Sequence, residues 1–115
     1  MWIPPIKHTL HTLSQEVATG QTTGFNLTGA RVRFKERVTA IDAGSLTLSY
    51  EEQDPDDSQW YALAQADTVN NGDEPMTQVT EVIGLSGRPV RAVFTLAGGA
   101  SAITFSVFAE EIHEG

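Results

Sequence analysis

The sequence predicts an all-β protein, a two-sheet antiparallel β-sandwich or jelly roll of seven to eight strands with an extended N-terminal arm. Apolar and polar residues alternate with period two in several short runs, and many of the polar positions are Thr or Ser. Polar turns separate these runs, and no segment keeps the period of a long helix. At 115 residues the chain is one domain, which we divide into an arm of residues 1–6 and a sandwich of residues 7–115.

The strands predicted in the first half of the chain are residues 6–13, 24–28, 30–38 and 45–51. In the third of these runs Val32, Phe34 and Val38 point to one face while cations point to the other. In the fourth run the alternate residues from Leu46 to Tyr50 point inward. Because only a short turn joins the last two runs, we expect them to form a β-hairpin.

The middle of the chain is predicted to hold an acidic loop and a short strand. Residues 51–58 form the loop, in which Pro55 prevents strand pairing. Residues 59–66 contain Ala, Leu and Gln, which favour a helix, but the segment is short and its neighbours are strands. We therefore assign it as a strand.

The last strands are predicted at residues 77–83, 90–96 and 103–109. The final two runs alternate cleanly, and Gly98 and Gly99 lie between them. Consecutive glycines favour a tight turn, so we expect a second hairpin here.

Composition excludes several classes of function. The formal net charge of −8 argues against nucleic acid as a partner, because binding to phosphates requires clustered cations. The chain has no cysteine, which excludes a disulfide framework and any thiolate site. No apolar run approaches the roughly 18 residues of a membrane-spanning helix, so we expect no membrane partner.

The charges are unevenly distributed along the sequence. Residues 1–40 hold five of the seven cations and two carboxylates, whereas residues 41–115 hold two cations and thirteen carboxylates. One interpretation is that the basic and acidic segments become neighbours in the fold and neutralise each other. The other is that oppositely charged faces dock onto further copies of the chain or onto another subunit.

Four of these cations lie on one face of a single predicted strand: Arg31, Arg33, Lys35 and Arg37. Such a stripe can be a solvated face that protects the protein from aggregation. It can also be a docking surface for an acidic partner, including the segment 51–57 of another copy. No aromatic residue is interleaved with the stripe, which disfavours binding of single-stranded nucleic acid.

The N-terminal arm is apolar and rich in proline: Trp2, Ile3, Pro4, Pro5 and Ile6. Its prolines keep it extended and outside a central strand. We expect it either to cover the open end of its own sandwich or to lie across a neighbouring subunit.

The sequence contains no convincing catalytic or metal-binding motif. His8 and His11 are three residues apart, which on a regular strand sends them to opposite faces. Asp54, Asp56 and Asp57 could suggest calcium, but the run lacks the glycine and the final glutamate of an EF-hand loop. We therefore predict no catalytic residues, no cofactor and no metal, and a protein that is not an enzyme. The sequon beginning at Asn26 is of a kind that arises by chance in a Thr-rich chain.

From end to end the chain resembles small virion structural proteins of tailed bacteriophages. The motifs that carry the resemblance are Gly/Thr-rich turns at 20–24 and 25–29, Leu46-Thr47-Leu48-Ser49-Tyr50, an acidic turn at 54–58, Trp60-Tyr61-Ala62-Leu63, Val90-Arg91-Ala92 and the Gly98-Gly99 turn. The resemblance implies a β-sandwich assembly subunit without catalytic residues. Within that class, a head decoration (cement) protein fits the size, the acidity and the apolar arm.

This hypothesis gives the protein a specific place and specific partners. It would bind and stabilise a capsid lattice, formed by the major capsid protein or another virion component, after assembly in the host cytoplasm. We expect a homo-oligomer, with a trimer favoured. The arm and the cationic stripe are the predicted protein interface.

The alternative function is a carbohydrate-binding or receptor-binding β-sandwich module, such as a head-fibre or tail component. Trp60, Tyr61 or Trp2 would supply a stacking platform, and the Asp54–Asp57 loop would bind sugar hydroxyls. A buried Trp60 would exclude this alternative. A small β-sandwich or cupin-like enzyme would need two or three inward histidines, and of the three histidines in the chain His113 lies in the tail.

Overall fold

The computed structural model describes residues 6–27, 31–85 and 87–112. These residues form ten β-strands: β1 (Ile6–Glu16), β2 (Gly20–Gln21), β3 (Phe25–Asn26), β4 (Arg31–Ile41), β5 (Ser45–Gln53), β6 (Trp60–Gln65), β7 (Val69–Asn70), β8 (Met76–Ile83), β9 (Pro89–Ala97) and β10 (Ile103–Ile112). Three of the ten have only two residues, so seven strands build the frame. The described part of the chain contains no helix, and hence none that could cross a membrane. The all-β prediction is confirmed.

The strands form two antiparallel sheets packed face to face. The first sheet has the order β1-β10-β4-β8, and the second has the order β2-β9-β5-β6. Strand β3 also pairs with β9, and β7 with β5. The sandwich prediction is therefore confirmed. Residues 1–5 of the predicted arm lie outside the described residues, and Ile6 is the first residue of β1, opposite Glu111.

The core lies between the sheets and is formed by the alternate residues that the sequence predicted to point inward. Val32 and Phe34 of the first sheet are fully buried, as are Leu46 and Tyr50 of the second. The rings of Phe34 and Tyr50 stack across the core with centroids 3.8 Å apart. Burial of these aliphatic and aromatic side chains holds the two layers together.

Both predicted hairpins are wrong. Strands β4 and β5 belong to different sheets, as do β9 and β10, so each short connection crosses from one sheet to the other. The residues form strands, as expected. In each pair, however, the inward apolar side chains of one strand face those of the other across the core. Alternation specifies which face of a strand is buried and does not specify its hydrogen-bonded neighbour.

The two crossings contact each other at one end of the sandwich. Gly44 has a φ of 68°, and a Cβ there would lie 1.9 Å from the carbonyl oxygen of Ala97, so only glycine fits. The carboxylate of Asp42 accepts hydrogen bonds from the backbone N–H groups of Ser101 and Ala102, each at 3.0 Å. A further hydrogen bond from the Ser101 hydroxyl is the largest cause that lowers the pKa of Asp42 to about 2.

Strands β5 and β6 form a hairpin around the acidic loop, a pairing that the sequence did not predict. Trp60 lies opposite Gln53 in the register, and the strand prediction for residues 59–66 is confirmed. Strand β5 continues through Gln53, so the connecting turn is shorter than the predicted loop. We call residues 54–58 the acidic turn.

One carboxyl group lies inside the core. Glu36 of β4 has no solvent-exposed surface, and it accepts hydrogen bonds from the hydroxyls of Tyr50 and of Thr80, the latter at 3.0 Å. Burial is the largest cause that raises the pKa of Glu36 to about 7, and the two hydrogen bonds oppose it. The position was readable in the alternation, because residue 36 lies between the inward Phe34 and Val38.

Candidate functional site

The outer side of the second sheet carries mostly uncharged polar groups. Since Leu46, Leu48 and Tyr50 point into the core, the residues between them point to solvent. We call this surface the polar face, which comprises Thr47, Ser49, Glu51, Gln53, Trp60, Gln65, Arg91 and Thr95. The register of β5 with β6 and β9 brings these residues together. Its two charged groups, Glu51 and Arg91, have opposite sign.

Trp60 lies at one end of the polar face, at the start of the edge strand β6 and opposite Gln53, the last residue of β5. The guanidinium carbon of Arg91 is 4.2 Å from the centroid of the indole ring, a cation–π contact. Strand β5 separates β6, which carries Trp60, from β9, which carries Arg91. The indole therefore extends over β5. Trp60 is half-buried in this position, so the condition that would exclude a carbohydrate-binding function is not met.

Two further contacts fix the position of the indole. Arg91 Nε donates to Glu51 Oε1 at 3.0 Å and Nη2 lies 2.9 Å from the same oxygen, so the cation against the ring is itself held in place. At the far end of the ring, a Cβ on Gly24 would lie 3.1 Å from Trp60 Cη2. The absence of a side chain at Gly24 leaves the space that the ring occupies.

This arrangement can bind a flat, polar ligand. One aromatic ring lies against the arginine of an ion pair, and hydroxyl and amide groups of Thr47, Ser49, Gln53 and Gln65 extend on the same side of the sheet. An aromatic ring presents a negative face to C–H groups, while amides and hydroxyls can donate and accept hydrogen bonds. Because most of the site lies on strands, its groups are held more rigidly than they would be on loops.

The other residues predicted as stacking platforms are placed elsewhere. Tyr61 is 49% exposed but follows Trp60 directly in β6, and so it points to the opposite side of the sheet. Its hydroxyl donates to Asp57 at 2.5 Å, which ties it to the acidic turn. This hydrogen bond raises the pKa of Tyr61 and lowers that of Asp57. Trp2 lies outside the described residues.

The acidic turn uses its carboxylates to hold its own backbone. Asp54 accepts from the N–H of Asp56 at 2.8 Å, and Asp57 accepts from the N–H of Gln59 at 2.9 Å. No group of three or more His, Asp or Glu side chains within the described ranges is arranged to hold a metal ion.

The cations of the predicted stripe are on the outer side of the first sheet. With Lys7 they form a surface that we call the basic face, which comprises Lys7, Arg31, Arg33, Lys35 and Arg37. The register brings two carboxylates to it: Glu81 lies 3.6 Å from Arg33, and Glu110 lies 3.2 Å from Lys35. Neutralisation within the fold is thus partial. Arg37 is exposed and has no ion pair among the residues that the structure describes.

The two histidines of β1 lie on the same side of the first sheet, and the expectation of opposite faces is wrong. The register shifts between Thr9 and His11, so His8 lies opposite Ala109 and His11 opposite Val107, both of which are buried. A bulge inserts one residue and reverses the alternation beyond it.

Each histidine binds a different carboxylate. His8 Nε2 is 2.6 Å from Glu111, and His11 Nε2 is 2.7 Å from Glu16. The ring of His11 also stacks on Phe105, with centroids 4.0 Å apart. His8 therefore joins the edge strand β1 to β10 through Glu111, whereas Glu16 belongs to β1 itself, and His11 contacts β10 through its stacking on Phe105.

Comparison with known proteins supports the fold. Neither a protein-family model nor a curated protein sequence matches the chain. Among solved structures, the chain is similar to endo-1,4-β-D-xylanase 10B of Clostridium thermocellum, a structure of CBM22-1 and GH10 modules with xylohexaose. The TM-score is 0.60 at 10% sequence identity, and the match covers 100% of this chain and 26% of that chain. The chain thus spans about a quarter of that protein's resolved length.

Two other neighbours have nearly the same length as this chain. The CBM22-1 xylan-binding domain of Xyn10C from Paenibacillus barcinonensis matches with a TM-score of 0.54 at 13% identity, covering 96% of this chain and 94% of that chain. The Yersinia pseudotuberculosis-derived mitogen matches with a TM-score of 0.53 at 12% identity, covering 98% and 90%. At such identities the similarity establishes the β-sandwich architecture. Function has to be argued from the residues of this chain.

Proposed function

We propose that this protein is a carbohydrate-binding module that binds a neutral glycan chain on the polar face. The observation that carries the proposal is the indole of Trp60, which is half-buried, supported by Arg91 and held by the Arg91–Glu51 ion pair. A pyranose ring can stack on such an indole while its hydroxyls reach the neighbouring amides and hydroxyls. This is the alternative that the sequence left open.

The shape and charge of the polar face favour an extended, uncharged polymer. Three strands spaced about 4.8 Å apart give a surface wide enough for one glycan chain, and β5 extends for roughly 30 Å along it. Glu51 and Arg91 neutralise each other, so the face offers no net attraction to an anion. A neutral chain of several sugars suits such a site better than a compact or acidic ligand.

The fold is compatible with this function. A xylan-binding domain is among the structural neighbours, which include several other carbohydrate-binding modules. A mitogen has the same architecture, and so the fold alone does not specify a ligand. The arrangement around Trp60 supports the proposal independently of the fold.

The virion decoration function remains a prediction. It rests on the sequence resemblance and on the arm, whose residues Trp2 to Pro5 lie outside the described ranges. A capsid lattice as partner, a location in the virion and a trimeric state are likewise untested. A glycan-binding fibre or tail component would satisfy both the resemblance and the proposal made here. We retain non-enzymatic binding as part of the proposal.

Affinity electrophoresis of the full chain against soluble polysaccharides tests the proposal. The panel contains xylan, mixed-linkage β-glucan, hydroxyethylcellulose and mannan, with polygalacturonate as an acidic comparison. We expect retardation by at least one neutral polymer. Trp60→Ala should weaken that binding about tenfold or more, which corresponds to roughly 1.4 kcal/mol.

Tyr61→Ala is the matched control, because it removes an exposed aromatic ring from the same strand on the opposite side of the sheet. It should leave affinity within about twofold. In a Trp2→Phe background Trp60 is the only tryptophan, so its fluorescence reports binding directly. Binding to no neutral polymer, or equal losses for Trp60→Ala and Tyr61→Ala, would overturn the proposal.

A further inference from the structure

We propose that the basic face of one copy of this chain binds the acidic turn of a second copy. The inference concerns surfaces on the other sheet and at the hairpin end, and so it does not depend on glycan binding by the polar face. It rests on charge, exposure and the topology of the two sheets.

The basic face is an ordered row of cations with apolar neighbours. Alternate residues on a strand are about 7 Å apart, so the four cations of β4 span roughly 20 Å on one side of the sheet. Among the described residues, Glu81 pairs with Arg33 and Glu110 with Lys35, and Arg37 is exposed. The neighbouring strand β8 adds Val79 and Ile83, which are 54% and 72% exposed.

The acidic turn has the complementary chemistry. It presents three carboxylates, those of Asp54, Asp56 and Asp57, together with the exposed ring of Pro55. Hydrogen bonds within the turn and from Tyr61 already fix its conformation. Docking therefore requires little additional ordering, which favours association. Asp56, whose carboxylate makes no hydrogen bond within the described residues, is free to meet a cation.

Topology requires that this contact form between copies. The acidic turn connects two strands of the second sheet, and the basic face is the side of the first sheet that points away from the second. A chain cannot bring its own turn around the core to that surface. Because the two surfaces differ, the interface is heterologous, and it generates a reciprocal pair, a ring or a longer row of subunits.

A compact acidic partner fits this face better than a long polyanion. Of the fourteen carboxylates and seven cations within the described residues, twelve carboxylates and two cations lie outside the basic face. A long anionic polymer would extend from the face onto this acidic surface, where it is repelled. The acidic turn of a second copy would cover only the basic face. Charges more than about 8 Å away from the contact are screened at physiological salt.

Sedimentation velocity of the full chain tests the proposal over a concentration series at low and high NaCl. We expect self-association at low salt that weakens about tenfold or more at high salt. Arg37→Glu and Asp56→Lys should each weaken it to a similar extent. Mixing these two variants should restore association, because each then presents a surface complementary to the other.

Asp67→Lys is the charge-matched control, since it makes the same change in net charge at an exposed residue outside the acidic turn. Circular dichroism verifies that every variant is folded. A chain that remains monomeric at low salt overturns the proposal, as does association that neither variant weakens or that the mixture fails to restore. If the chain is monomeric and binds polygalacturonate, and Arg37→Glu abolishes that binding, the basic face is instead a binding site for a polyanion and the proposal is overturned.

Discussion

The two outer faces of this sandwich are built with the same strand geometry and carry different chemistry. On the outer side of the first sheet, the ion pairs Arg33–Glu81 and Lys35–Glu110 are partly exposed and have N···O distances of 3.6 and 3.2 Å. On the second sheet Arg91 and Glu51 pair at 2.9 Å, and the ring of Trp60 lies against Arg91. The first arrangement attracts an opposite charge over several ångströms, whereas the second acts only on a ligand in contact. One fold can therefore carry a surface at which binding depends on salt concentration and another at which it does not.

The largest expected effect is on the free energy of unfolding and comes from Glu36, whose carboxyl group is buried between the two sheets. It tests the core that holds the two sheets together. The pKa of Glu36 is about 7 in the folded protein and 4.5 when unperturbed. The folded state therefore holds this proton to a higher pH than the unfolded state does. Stability associated with Glu36 is complete below pH 4.5 and is lost as pH rises through 7, by about 3 kcal/mol.

Urea denaturation from pH 4 to pH 8 measures this effect as the difference between the wild-type chain and Glu36→Gln. The Gln variant keeps the shape of the side chain and lacks the ionisation. We expect the two unfolding free energies to diverge across this range, with the wild-type chain losing stability as pH rises. Parallel curves would show that the pKa of Glu36 is the same in the folded and unfolded states, which contradicts the prediction.

A smaller effect should separate the two faces directly. Arg91→Lys removes the guanidinium that stacks on Trp60 and bonds to Glu51 through two nitrogens, and lysine cannot reproduce that geometry. We expect glycan affinity to fall about threefold to tenfold. Arg33→Lys, the same substitution on the basic face, should leave glycan affinity unchanged. Isothermal titration with the polymer that binds best compares the two, and equal losses would mean that the faces are not distinct.

Strand alternation made the buried and exposed sides of the strands predictable, but not the pairing of the strands. It placed Val32, Phe34 and Tyr50 in the core and the cations of β4 outside, since burial follows the period of the strand. It did not reveal that β4 and β5 lie in opposite sheets. The turn at Asp42 to Gly44 is as short as that of a hairpin, and the preference for a crossing comes from contacts with residues 97–102, far along the chain.

The candidate site was less predictable than the core. Trp60 could be singled out because tryptophan after an acidic turn suggests a platform, but nothing local relates it to Arg91 or to Gly24. Those contacts depend on the register of β5 with two neighbouring strands. The bulge at Thr9 to His11 was hidden for the same reason, because its only signature is the pairing with β10.

The central claim is that glycan binds to the polar face of the second sheet. A chemical-shift map of the isotopically labelled full chain, titrated with oligosaccharides of the neutral polymer that binds best, tests it most directly. The account predicts shifts at the indole N–H of Trp60 and at the backbone amides of Glu51 and Arg91, with Arg33 and Lys35 unchanged. Shifts confined to the basic face, or a saturable titration that leaves Trp60 unaffected, would contradict it.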